Sequence, residues 1–244
     1  MYRIEADTHT HTLASQHAYS TVMELVHEAK KKGLKGIAVT DHGPDLGDAP
    51  YAGHFHNLKS IPRLVDGIVV LRGVEANLLD FDGRLDLDNR LLSILDWVIV
   101  SIHGVCFTAG TKEDHTRAWM NVLQNPWVDV IGHSGQNDFE YDYESVIIEA
   151  GKRGKIIEIN NHSFSGVRPG SEKNCPEIAR LCKKHGVRIV VNSDTHFATQ
   201  LGQLDTALKM LEEIDFPPEL ILNSSLEKLL EYINQKRQNK ILLT

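Results

Sequence analysis

Short β-branched runs recur along this chain at roughly 30-residue intervals, the length of one strand-plus-helix unit. The runs are residues 2–6, 36–40, 67–73, 97–101, 128–132, 155–160 and 188–192. Several are continuously apolar rather than alternating, the mark of strands buried on both faces and hence of a parallel sheet. Amphipathic stretches lie between them, at residues 22–32, 112–123, 145–153, 176–185 and 204–214. Helix punctuation agrees. Ser20-Thr21 with Glu24 reads as an N-terminal cap, and Gly33 and Gly186 each follow a cationic last turn, where the helix dipole favours positive charge. Residues 225–236 read as a further helix that covers one end of the fold.

Polar landmarks fall at the C-terminal ends of these runs: His9, His42, Glu75, His103, His133, Asn160 and Asp194. An open doubly wound sheet gathers its site at one switch point, whereas a closed ring lets every strand end contribute. The expected fold is therefore α/β, a TIM-like (β/α)7 barrel with its site at the C-terminal ends of the strands. Low-complexity tracts and linker-like segments are absent, so residues 1–244 are read as one domain.

The formal charge of −7 offers no basic field for a nucleic-acid backbone, which disfavours nucleic acid as partner. Cys106, Cys175 and Cys182 form no CxxC pair and read as reduced thiols. No apolar run is long enough to span a bilayer, and residues 1–11 lack the core of a signal peptide, so no membrane association and a cytoplasmic location are expected. Homo-oligomerisation is left open.

The landmarks belong to a larger set of seven histidines and two acids: His9, His11, His17, His42, Glu75, His103, His133, Asp194 and His196. Such borderline and hard donors suffice for two divalent cations, or three if a carboxylate bridges. His9 and His11, two apart on a strand end, point the same way. Glu75 closes an apolar strand, where an unpartnered carboxylate is costly, and bridging two cations would compensate it. Asp194 with His196 makes a mixed pair suited to zinc, manganese or iron. Asp41 reads as an outer partner that orients an imidazole. His27, His115 and His185 fall in helices and read as surface or packing residues. His54, His56 and His162 are placed in loops near the mouth and are not counted among the ligands, His162 being the one of the three with a route to substrate or metal.

The motifs Asp7-Thr8-His9-Thr10-His11, Thr40-Asp41-His42, Gly73-Val74-Glu75, Ser101-Ile102-His103, Ile131-Gly132-His133 and Ser193-Asp194-Thr195-His196 resemble those of the PHP family of metal-dependent phosphoesterases. The likeness extends to the YcdX-type single-domain branch, whose pattern includes His17 and the following Ala-Tyr-Ser-Thr. It implies a distorted seven-stranded barrel and a trinuclear site, usually zinc, with manganese or iron as alternatives. Carried over by motif, one metal takes His9, His11, Glu75 and Asp194; a second shares Glu75 and takes His103 and His133; a third takes His17, His42 and His196. Residues 45–56 and 161–174 supply substrate loops in such folds.

The chemistry this implies is hydrolysis of a small phosphorylated metabolite, with Glu75 and Asp194 in the catalytic cluster and Arg168 as a bidentate phosphate contact. Three rivals share parts of the pattern. An amidohydrolase-type barrel also opens with HxH, but commonly bridges its metals with a modified lysine, and no lysine stands in that place here. A PHP-type exonuclease on nucleic acid is disfavoured by the acidic balance. A polymerase-associated module is expected to be attached to a far longer chain.

Overall fold

The computed structural model describes residues 2–237, 240 and 241. Eight strands form: β1 Ala6–Thr10, β2 Gly36–Val39, β3 Leu64–Val65, β4 Ile68–Asn77, β5 Trp97–Ser101, β6 Val130–Ile131, β7 Ile156–Asn160 and β8 Ile189–Asn192. Seven of them pair in parallel in the order β1-β2-β4-β5-β6-β7-β8. β3 is a short antiparallel addition to β4. Its two-residue turn, Asp66-Gly67, has both residues at positive φ, as tight hairpins favour.

The ring closes between β8 and β1 by a different means from its other joins. A single isolated bridge, Thr10 to Thr195, stands at the top of this seam. Below it the Asn192 side-chain carbonyl accepts from Thr8 N and Thr8 Oγ1, both at 2.8 Å. Lower still, Asn223 is wedged between the strands, donating to Ala6 O (2.9 Å) and Val191 O (2.8 Å) and accepting from Val191 N (3.0 Å). This is a nearly closed, distorted barrel, as the sequence implied.

Helices α1 Val22–Lys31, α2 Ala52–Asn57, α3 Asn89–Leu92, α4 Lys112–Val122, α5 Tyr143–Lys152, α6 Ser171–His185 and α7 Asp205–Glu213 connect the strands, and α8 Leu226–Lys236 follows the last. The expected cap of α1 is a full capping box between Thr21 and Glu24. Two apolar layers result. One lies between the strands and the surrounding helices. The other fills the barrel: Ala6, Ala38, Leu71, Ile99, Ile156 and Val190 point inward and meet Leu226, Leu229 and Ile233 of α8, which plugs the N-terminal mouth as its amphipathic pattern predicted. The opposite mouth is left for polar groups.

Boundaries moved where polar residues disguised buried strand. β1 was expected at residues 2–6 but runs Ala6–Thr10, because Asp7, Thr8 and His9 are interior residues of a site rather than a loop. β4 continues past the expected residue 73 to Asn77 for the same reason. α6 starts at Ser171, five residues ahead of Pro176, so the proline lies inside the helix instead of opening it. The segment with His54 and His56 forms α2 rather than a loop.

Candidate metal centre

Strand parity brings most of the site together. On β4, Val69 and Leu71 face the plug, so Glu75, an even number of positions further, points inward one layer above it. The same alternation carries inward Ala38 on to His42, Ile99 to His103, Ile156 to Glu158 and Val190 to Asp194. His9 and His133 have the wrong parity. The β1–β2 ladder shifts register between Asp7 and Thr10, which turns His9 inward. His133 achieves it with a φ of 23°, and Asp194 is also held at a φ of 55°. Such backbone in non-glycine residues is uncommon and gathers at functional sites. Gly132 is needed beneath the cluster, where a methyl group would overlap Ser101 Oγ and Ile99.

Glu75 is the hub. Its Oε1 lies 2.7 Å from His133 Nε2 and 3.5 Å from His103 Nε2. Its Oε2 lies 2.7 Å from His42 Nδ1, 3.3 Å from His9 Nε2 and 3.6 Å from His11 Nε2. Asp194 Oδ1 stands 3.1 Å from His11 Nε2 and 3.5 Å from His9 Nε2. His17 Nε2 is 3.1 Å from His42 Nε2, and the His11 and His196 rings are 4.4 Å apart. All nine residues singled out in the sequence thus converge. Three trios have ligand atoms within 4.8 Å of one another: His9, His11 and Glu75; His42, Glu75 and His103; and His11, His42 and His196. These place His42 beside Glu75 as well as beside His196, between two of the groups that the resemblance implied. Burial falls outward, from fully buried His9, His11 and Glu75 to His17, whose side chain is 41% exposed, so the site opens on the His17 side.

The donor set fits transition-metal cations. Buried polar atoms without a hydrogen-bond partner collect here, among them His9 Nε2, His11 Nδ1, His42 Nδ1, His133 Nδ1 and Glu75 Oε2. Burial, reinforced by neighbouring His42, pushes His11 down to about 3, so it is a neutral lone-pair donor at neutral pH. Burial also lowers His103 and His196. Burial opposes ionisation of Glu75 and Asp194, yet the histidines around them, and Arg168 beside Asp194, hold both well below the ordinary carboxylate range. Burial likewise opposes a charge on His9, but Glu158, Asp194 and Glu75 together raise it well above the usual imidazole value. Three buried carboxylates around one ring show how much positive charge this pocket is built to accept.

A second set of residues, invisible to sequence reasoning, holds the first in place. Glu158 Oε1 takes His9 Nδ1 at 2.7 Å, and its Oε2 accepts from His133 N at 2.9 Å. Asn77 Oδ1 takes His103 Nδ1 at 2.7 Å, with Asn77 in turn donating to Asp86. Asp48 Oδ2 takes His17 Nδ1 at 2.6 Å. Each contact fixes which ring nitrogen presents a lone pair to the centre. The one available signal was a carboxylate inside the apolar run Ile156-Ile157-Glu158-Ile159. Asp41 was expected to orient an imidazole. Its carboxylate mainly pins residues 12–15, accepting from Thr12 N, Thr12 Oγ1 and Ser15 Oγ, with His54 3.4 Å away.

Arg168 donates through Nη2 to Asp194 Oδ2 at 2.7 Å, and its Nη1 is buried without a partner. Both Arg168 and His162 line the cavity in front of the cluster. The remaining histidines keep to structural roles: His115 bridges Glu140 O and Gly110 N, His185 pairs with Glu144, and His27 is exposed on α1.

Residues 7–238 match the family model described as PHP domain. The chain belongs to the PHP domain family. This PHP domain is 51% identical over 95% of its length to a protein from Acetivibrio thermocellus named "Probable phosphatase", of which it covers 96%. It is 49% identical to a protein of the same name from Caldicellulosiruptor saccharolyticus, with 97% of this chain and 98% of that one aligned. Among solved structures it resembles the Lactococcus lactis histidinol phosphate phosphatase complexed with zinc, L-histidinol and phosphate, at a TM-score of 0.61 and 18% identity, over 87% of this chain and 94% of that one. That likeness is one of fold. No helix among the described residues is long and apolar enough to cross a membrane.

Proposed function

We propose that this PHP domain is a metal-dependent phosphatase that hydrolyses small phosphomonoesters, its nine converging side chains holding three divalent ions, zinc foremost. The observation that carries this reading is the hub at Glu75, a fully buried carboxylate with five imidazole nitrogens within 3.6 Å of its two oxygens. Relatives at 49–51% identity that are named probable phosphatases support the reaction class.

Ions bound at such a cluster supply Lewis acidity toward phosphoryl oxygens and lower the pKa of water toward about 7. The protein supplies the rest. Glu158, Asn77 and Asp48 each engage the Nδ1 of one ring, leaving Nε2 of His9, His103 and His17 as the nitrogen that would face an ion, and Glu75 and Asp194 stay ionised. Arg168 lines the cavity in front of the cluster with a buried, unpartnered Nη1, positioned to take a phosphoryl oxygen while Nη2 keeps to Asp194.

Elemental analysis of the purified protein, paired with p-nitrophenyl phosphate turnover before and after chelation, tests the proposal. More than one transition-metal ion per chain and activity restored by zinc are expected, and Glu75→Gln should lower turnover by about two orders of magnitude or more. Full activity in metal-free protein, or near-normal turnover by Glu75→Gln, overturns it.

A further inference from the structure

The cavity in front of the ligand cluster has a volume of about 740 Å³, far more than one phosphoryl group fills, and its outer part is made of different material. The inner end presents imidazoles and Arg168. The outer walls are Leu46 and Gly47 from the loop after β2, Gly104 and Val105 from the loop after β5, and Val167 beside Arg168. Val105 is 80% exposed and Val167 56%, so each holds a branched apolar side chain in water with little packed on it. Exposed rings also come from Tyr19, whose N–H donates to His196 O at 2.8 Å, and from Phe197, the residue after His196. Apolar surface gathered from several loops around one polar centre marks a recognition site.

The acid inventory is as informative. Among the described residues, the cavity lining contains one carboxylate, Asp48, and that group is committed to His17 Nδ1 at 2.6 Å. An ammonium brought into this pocket would meet Arg168 and the proposed cations with no counter-charge beyond the one carboxylate that His17 already engages, and desolvating it there is unfavourable. Histidinol, the alcohol bound by the Lactococcus lactis neighbour, carries such an amine.

Resting on the phosphatase reading above, we propose that the alcohol portion of the substrate carries no cationic group and presents an apolar face to Val105 and Val167. Specificity on this account resides in the loops after β5 and β7, while the cluster recognises only the phosphoryl group.

The test compares ligands that differ solely in the tail. Hexylphosphonate and 6-aminohexylphosphonate are titrated calorimetrically into zinc-reconstituted protein, and the matching hexyl and 6-aminohexyl phosphates, which share one alkoxide leaving group, are compared by kcat/KM. The neutral tail should be favoured by about tenfold or more in both measurements. Val105→Asp should narrow or reverse the ratio, whereas Val105→Ser, which removes apolar surface without adding charge, should weaken hexyl binding and leave the amino compound little changed. Equal or tighter binding of the amino tail, or no binding of either phosphonate, overturns the proposal. Selective binding of hexylphosphonate without turnover of any ester supports the pocket's preference and refutes hydrolysis instead.

Discussion

Glu158 offers the sharpest test of how the fold prepares its centre. It accepts four hydrogen bonds: from His9 Nδ1 (2.7 Å) and Asn192 Nδ2 (2.8 Å) on Oε1, and from His133 N (2.9 Å) and Asn160 Nδ2 (3.1 Å) on Oε2. Glu158→Gln keeps the shape but replaces one acceptor by a donor. Turned toward His133, the new NH2 faces a backbone N–H that cannot adapt. Turned toward His9, it faces an Asn192 side chain whose carbonyl is already fixed on Thr8, and it forces His9 to accept at Nδ1 and carry its proton on Nε2, the nitrogen that faces Glu75 and Asp194. Either orientation loses two bonds to a charged acceptor, and after partial relaxation the cost is about 3 kcal/mol. For a chain of this size that corresponds to a fall in melting temperature of roughly 6–12 °C. Loss of the correct His9 tautomer should also weaken zinc retention by about 10–100-fold. Calorimetric melting and competition against a zinc chelator measure the two effects separately. A variant that melts like the wild type and keeps its zinc equally well would refute the reasoning.

Two further expectations concern stability. Asn223→Ala removes four buried hydrogen bonds at the barrel seam and should cost about 3 kcal/mol in urea unfolding; an unchanged midpoint would mean that the wedge is dispensable. Burial raises Asp86 to about 6, so the folded chain keeps a proton there over a range where the unfolded chain has lost it. Its contribution to stability is therefore complete below about pH 4 and lost as pH rises through about 6. In metal-free protein, wild type should gain on Asp86→Asn by up to about 3 kcal/mol between pH 7 and pH 4, and a difference that stays flat across that range would contradict it.

All seven barrel strands and all nine clustered side chains were legible in the sequence, because metal-type donors recur at strand spacing and helices carry an apolar stripe. Most of what escaped notice did so for one physical reason. Sequence patterning equates polar with exposed, and a buried polar centre inverts that rule. Asp7, Thr8 and His9 hid the body of β1, and Asn77 hid the end of β4 beyond Glu75. Glu158, Asn192 and Asn77 are strand residues whose partners lie far away in sequence, so no local spacing announces them. α3, of four residues, is too short to show a period.

The seam gives the centre a second significance. His9 stands on the first strand of the ring with His11 just past its end, and Asp194 and His196 follow the last, on opposite flanks of a join fastened mainly by the amides of Asn192 and Asn223. On the function proposed above, a cation held by residues from both flanks would be a rivet between segments that lie at opposite ends of the barrel-forming sequence. Emptying the pocket with a chelator should therefore do more than halt turnover: the two flanking strands lose their strongest tie, and the hoop should begin to part where it was last joined.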